Sequence, residues 1–210
     1  MDYLSKPDGL YVRIWHLSKG FHRYRKYSHR HEMLLHQPFG DTYGAWRALE
    51  ELYKEGKLRA IGISNHYTDR MVEFANFTNI KPMVNQMETH PLNQQNTLKE
   101  WADKYDIRLE AWAPFGEGRN GLFENEVLKA IGQKYGKSTA QVMLRWHIQR
   151  GVIIIPKSVH KERMIENFHV FDFTLSEFVN IEGNESTWNN GNAQTKMHMV
   201  LASRKRFLHI

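Results

Sequence analysis

The feature that most limits how this 210-residue chain folds is an alternation of two periodicities along its middle. Short β-branched or apolar runs recur at Met33 to His36, Ala60 to Ser64, Met83 to Met87, Ile107 to Ala113 and Val152 to Pro156, and stretches with helical spacing follow them. The early runs begin about 25 residues apart, the length of one strand, one helix and a return loop. Between the first two, Tyr43 to Lys54 sets Trp46, Leu49 and Tyr53 at helical intervals and stops before Gly56, a residue suited to the position after a helix end. Thr68 is placed to cap a helix carrying Met71, Val72 and Phe74, and Asn96 or Thr97 starts another with Leu98, Trp101 and Tyr105 on one face. Glu124 to Tyr135 and Ser138 to Gln149 follow. The second opens on Ser138 with Gln141 three residues on, the spacing of a capping box.

Strands alternating with helices predict a parallel sheet covered by helices, the α/β class. The continuous apolar run Val152-Ile153-Ile154-Ile155 reads as a strand buried on both faces. No strand run leads into a GxGxxG turn, which argues against the doubly wound dinucleotide fold. Five strand runs are present, whereas a closed (β/α)8 barrel needs eight in roughly 250 residues. The expectation is therefore a partial barrel over residues 33–177, with its beginning missing. Residues 1–32 and 178–210 flank it without the pattern.

The 29 Lys+Arg outnumber the 23 Asp+Glu, for a net charge of +6. That surplus is confined to the ends: Met1 to His31 carries +5, Asn184 to Ile210 carries +3, and Glu32 to Gly183 holds 18 basic and 20 acidic residues. The segment from His22 to His31 interleaves bases with aromatic rings, as single-strand nucleic-acid binders do. With no RRM, KH or helix-turn-helix context it reads as a solvated basic tail, so no nucleic-acid partner is expected. The chain has no cysteine, which removes disulfides, thiolate nucleophiles and Cys-based zinc sites together. No apolar run approaches the roughly 18 to 20 residues that span a bilayer. Charges every few residues occupy the place of a secretory apolar core, so a cytoplasmic location without membrane contact is expected.

Two motifs nearly match known sites. Gly132-Gln133-Lys134-Tyr135-Gly136-Lys137-Ser138 has three residues between its glycines where a phosphate-binding loop needs four, and it reads as a helix end followed by a new cap. His31-Glu32-Met33-Leu34-Leu35-His36 resembles the zinc-protease HExxH, but its histidines are five apart rather than four, so no metal site is expected.

In a barrel, functional groups gather at the C-terminal ends of the strands. Here those ends carry His36-Gln37, Ser64-Asn65, Gln86, Trp112 and Lys157-Ser158. The segments Leu35-His36-Gln37-Pro38, Gly62-Ile63-Ser64-Asn65, Val84-Asn85-Gln86, Ala111-Trp112-Ala113-Pro114 and Ile155-Pro156-Lys157-Ser158, followed by Arg163 and Glu166-Asn167, resemble the aldo-keto reductases. The likeness is greatest to their bacterial 2,5-diketogluconate reductase-like branch. It runs in the family's order from about Met33 to Ser176, roughly two thirds of the chain, and corresponds to about strands 4 to 8 of the family's barrel.

The resemblance implies an NADPH site and a small carbonyl substrate, an aldehyde or ketone reduced to an alcohol. Ser64, Asn65 and Gln86 would bind the nicotinamide carboxamide, and Trp112 would stack on the ring. Lys157, Ser158 and Arg163 would hold the 2′-phosphate, and Glu166 and Asn167 would face the adenine. His36 corresponds to the family's active-site histidine, which orients the carbonyl as alkoxide charge builds. The family's proton source is a tyrosine with a lysine and an aspartate. None of Tyr3, Tyr11, Tyr24 and Tyr27 has an aspartate five residues before it, the family's spacing. The pattern also stops near Phe178, beyond which Trp188-Asn189-Asn190-Gly191 and Ser203-Arg204-Lys205-Arg206 diverge. Loss of the pattern on both sides is what out-of-frame or rearranged coding produces, and the expectation is a truncated reductase with impaired catalysis. Two other readings stand beside it: a non-catalytic NADP-binding remnant, and a nucleic-acid binder using the basic ends. An open barrel leaves strand edges unpaired, for which self-association is the expected rescue.

Overall fold

In the computed structural model of the chain, the described residues are 31–176 together with four short strands outside them. In chain order the strands are β1 (Tyr3–Ser5), β2 (Tyr11–Arg13), β3 (His31–Leu35), β4 (Leu58–Ser64), β5 (Val84–Glu88), β6 (Arg108–Trp112), β7 (Ile153–Ile154), β8 (Val179–Glu182) and β9 (His198–Leu201). The helices are α1 (Thr42–Lys54), α2 (Thr68–Phe77), α3 (Asn96–Lys104), α4 (Glu126–Tyr135), α5 (Thr139–Gln149) and α6 (Lys161–Phe168). Strands β3 to β7 form one sheet in sequential order, while β1 with β2 and β8 with β9 make separate antiparallel pairs. Sequential order with helical connections is the arrangement of a (β/α) barrel segment, as the strand and helix alternation predicts. The basic aromatic stretch from His22 to Arg30 and the divergent tail motifs at Trp188 to Gly191 and Ser203 to Arg206 lie outside the described residues.

The chain divides into two compact units, Met1–Met87 with Thr97–Leu109, and Glu88–Asn96 with Glu110–Ile210. In the first, β3 and β4 run parallel with Leu35 opposite Ile63, and β4 and β5 run parallel with Ser64 opposite Gln86. Helix α1 begins where the Asp41 side chain accepts the Gly44 amide at 2.7 Å. It buries Trp46 and Leu49 at a three-residue interval. Glu50 is buried on the same helix, its carboxylate accepting the Ile80 amide at 2.8 Å. The Trp46 indole donates to Ile80 O at 2.9 Å, so one helix fixes both polar groups of a loop residue. Phe74 of α2 packs on Tyr43, Trp46 and His66 with ring centroids 5.0, 5.2 and 5.3 Å apart. Burying each such ring contributes on the order of 2 kcal/mol. Two expectations shift here. Thr68 is the first helical residue rather than the cap, which is Tyr67 and makes no side-chain bond. Trp101 is 37% exposed rather than core, because α3 buries Leu98 and Ala102 instead.

In the second unit β6 and β7 are parallel, with Glu110 opposite Ile153. Leu122, Leu128, Val142, Met143, Trp146 and Leu175 form its core. Helix α4 starts at an Asn125 cap, and Glu124 belongs to the preceding 3-10 turn Leu122–Glu124. The run from Val152 departs from the expected strand buried on both faces. Only Ile153–Ile154 is extended, and Ile153 and Ile155 are each 41% exposed. Strand β7 stands last in the sheet order, where one side has no neighbouring strand among the described residues.

Candidate active site

Four of the residues singled out by sequence lie in the first unit. His36 follows β3 and is half-buried, Ser64 ends β4, Asn65 follows it, and Gln86 lies in β5. They are joined by a hydrogen-bond network. The Ser64 hydroxyl donates to Gln86 O at 3.0 Å, and the Asn65 amide donates to the same oxygen at 2.9 Å. The Asn65 side-chain amide donates to His36 O at 3.2 Å and to Ser64 Oγ at 3.1 Å. One serine has one proton to give. With that proton on Gln86 O, Ser64 offers a ligand acceptor capacity only, and the two protons of the Asn65 side-chain amide are likewise given to His36 O and Ser64 Oγ. Asn65 has φ +58, the left-handed region. Such a conformation costs a residue with a Cβ about 1 kcal/mol or more, so the surrounding bonds must hold it.

Two buried neighbours that the sequence reading did not nominate belong to this network. His66 Nδ1 lies 2.8 Å from Ser64 O, and the Asn85 side-chain amide donates to His66 O at 2.7 Å. Burial lowers the His66 pKa to about 4. The signal available in the sequence was position alone: each is the chain neighbour of a nominated residue.

The other six candidates lie in the second unit. Trp112 ends β6, is half-buried, and its carbonyl accepts the Thr89 amide at 3.3 Å. Lys157 and Arg163 are exposed. Ser158 Oγ accepts the His160 amide at 3.1 Å in the turn leading into α6. The α6 cap residue, His160, makes no side-chain bond to the first turn, where the positive end of the helix dipole lies. Cations beside an uncapped helix start suit a phosphate dianion. Lys157 and Ser158 thus precede the start of α6, and Arg163 lies in its first turn. Glu166 differs: its carboxylate accepts the Ser138 hydroxyl, the cap of α5. Asn167 is half-buried on the last turn of α6.

The near-miss motifs are structural. Gly136 ends α4 at φ +62, a conformation glycine adopts without strain, and Ser138 with Gln141 forms the complete capping box of α5. His31 to Leu35 is strand β3, not a helix, so the helix-face geometry of HExxH does not arise. The residue chemistry fits the group that the resemblance implies: side-chain amides and a hydroxyl for a carboxamide, an aromatic side chain for a heterocycle, and two exposed cations near a helix start for a phosphate.

The family model described as Aldo/keto reductase family matches residues 32–181. The chain belongs to that family. Glyoxal reductase of Bacillus subtilis (strain 168) is 50% identical over 145 residues, which are 69% of this chain and 52% of that protein. Methylglyoxal reductase DkgA of Escherichia coli (strain K12) is 40% identical over 147 residues, 69% of this chain and 54% of that one. Among solved structures, an aldo-keto reductase from a Medee basin deep-sea metagenome library superposes with a TM-score of 0.68 at 39% identity, covering 70% of this chain and 56% of that one. A silkworm aldo-keto reductase complexed with NADPH gives 0.65 at 33%, covering 70% and 51%. The chain spans about half the length of the curated relatives it matches.

Proposed function

We propose that this chain binds NADPH and takes part in reducing an aldehyde or ketone, with 2-oxoaldehydes as the first substrates to try. When bound, NADPH supplies the hydride. Asn65 and Gln86 would hold the carboxamide, with Ser64 bracing both and lending an acceptor. Trp112 would cover the nicotinamide. Lys157, Ser158 and Arg163 would take the 2′-phosphate, and Asn167, with Glu166 turned toward Ser138, would border the adenine. His36 would orient the carbonyl oxygen. The observation that carries the reading is the bonded set of Ser64, Asn65 and Gln86, which ties the end of β4 to the neighbouring strand β5 and fixes the three residues on one frame. The relatives' names as reductases of glyoxal and methylglyoxal support the substrate class.

Alcohol formation also needs a proton donor. No tyrosine upstream of Met33 has the family's aspartate spacing, so slow turnover by this chain alone is part of the proposal. Titration with NADPH, followed by tryptophan emission, tests the binding. Saturable quenching that is lost in Trp112→Leu and weakened in Arg163→Met supports the reading, and unquenched parent protein overturns it. Loss of NADPH absorbance on adding methylglyoxal then measures the turnover.

A further inference from the structure

Beside the bonded set of Ser64, Asn65 and Gln86 lie two residues to which no ligand contact has been given. We propose that His66 and Asn85 are positioning residues that hold Asn65 in its left-handed conformation and so keep Ser64, Asn65 and Gln86 aligned. The purpose of that alignment rests on the NADPH reading above; the device itself does not.

Ser64 O is an acceptor, so the His66 nitrogen 2.8 Å from it must carry the proton. The ring is then the Nδ1–H tautomer, with a bare Nε2. Its hydrogen bond reaches back two residues and spans Asn65, the residue at φ +58. On the other side His66 O is held by the Asn85 side-chain amide at 2.7 Å, which ties the turn to β5. Asn85 is the chain neighbour of Gln86, whose carbonyl receives both the Ser64 hydroxyl and the Asn65 amide. The bonds therefore close a loop from β4 through His66 and Asn85 to β5 and back through Gln86.

Burial shows what the two side chains contribute. Both are fully buried, yet His66 Nε2 and Asn85 Oδ1 have no hydrogen-bond partner among the described residues. A buried acceptor without a donor is destabilising. A phenylalanine at 66 would fill the same space against the Phe74 ring without that cost. What the imidazole adds is the Nδ1–H on Ser64 O. Likewise an apolar side chain at 85 would avoid an orphan oxygen, and what the asparagine adds is the amide on His66 O.

A space-filling role and a positioning role predict opposite orders for two variants. In His66→Phe the volume is kept and the donor lost; in His66→Asn the side-chain amide takes the place of Nδ1 and volume is lost. Amide hydrogen exchange on the full chain, read by mass spectrometry over residues 62–67, separates them. Positioning predicts exchange at Asn65 roughly tenfold faster in His66→Phe and near-parental in His66→Asn, with α4 and α5 unchanged in both. Parental exchange in His66→Phe with faster exchange in His66→Asn overturns the proposal. Asn85→Leu is expected to repeat the His66→Phe result. Nitrogen NMR of the parent imidazole needs no variant: an Nε2–H tautomer overturns the proposal even if neither His66 variant folds. NADPH titration of the same proteins keeps the two ideas apart. A parent that fails to bind NADPH while showing the expected exchange order refutes the cofactor reading and leaves the positioning device standing.

Discussion

Asn65 reaches across from the end of β4 to place its side-chain amide on the main-chain oxygen of His36, 3.2 Å away. The residue that makes this bond has φ +58, in the left-handed region. Asn65→Ala removes the amide and leaves a Cβ at positive φ, whereas Asn65→Gly removes the amide and relieves the strain. The alanine variant is expected to lose about 1 to 3 kcal/mol and the glycine variant less, as measured by urea unfolding. Both are expected to abolish quenching by NADPH. Equal stability of the two variants would show that the backbone carries no strain.

Two buried histidines set an acid limit on stability. His66 and His147 each have a pKa lowered to about 4 from 6.5, burial being the largest cause in both. The His147 ring faces carbonyls at both nitrogens, Met143 O at 2.7 Å and Thr89 O at 2.9 Å. Those oxygens favour a second proton, and burial outweighs them. Above about pH 6.5 both rings are neutral whether folded or unfolded, and their contribution is fully present. As the pH falls toward 4 the unfolded chain takes up protons that the folded chain refuses, so stability falls, by up to roughly 3 kcal/mol per histidine. Urea midpoints taken from pH 7.5 to 5 are expected to fall, and to fall less steeply in His66→Asn. A parent midpoint that is flat over this range contradicts the assignment.

Local signals in the sequence foretold what local chemistry decides. The Ser138 and Gln141 capping box, the end of α1 before Gly56 and the alternation of strand with helix all follow from residues within a few positions of one another. Reading fails where a partner far along the chain decides. An apolar run such as Val152 to Ile155 looks the same at the centre of a sheet as at its edge, and only the sheet order exposes Ile153 and Ile155. Trp101 has helical spacing suited to a core, yet it lies at the surface with the Lys104 ammonium 4.5 Å from its ring. Family likeness nominated Ser64, Asn65 and Gln86, but neither the bonds among them nor the direction of the Ser64 hydroxyl could be read from it. His66 and Asn85 gave no sign beyond their places next to Asn65 and Gln86, because their bond joins the loop after β4 to β5, 19 residues along the chain.

Gly62 sits in β4 between β3 and β5. A Cβ there would lie 2.5 Å from Leu34 Cδ2 and 2.7 Å from Val84 O. The leucine tip has room to move, but the Val84 carbonyl belongs to the strand backbone. Gly62→Ala is therefore expected to push β4 and β5 apart just below Ser64 and Gln86, at a cost of about 1 to 3 kcal/mol. Thermal unfolding reads the loss, and weakened NADPH quenching in the protein still folded reads the spread to the site. An unchanged midpoint would mean that the strands absorb the methyl group.

Ser138 joins two helices, α5 and α6, through one hydroxyl. It accepts the Gln141 amide at 3.2 Å as the cap of α5, and it donates to the Glu166 carboxylate on α6. Gln141 adds bonds from its side-chain amide to Glu166 O at 3.1 Å and His169 O at 2.8 Å. Helix α6 buries none of its own residues, so these bonds account for much of its attachment to α5. Ser138→Ala is expected to cost about 1 to 2 kcal/mol through the lost cap and to leave Glu166 without that donor. Because Arg163 lies on α6, the variant is also expected to bind NADPH more weakly while its affinity for nucleotides lacking the 2′-phosphate is unchanged. Paired titrations with NADPH and NADH separate that outcome from a general loss of folding. Equal weakening toward both nucleotides would place the effect of Ser138 in the fold alone.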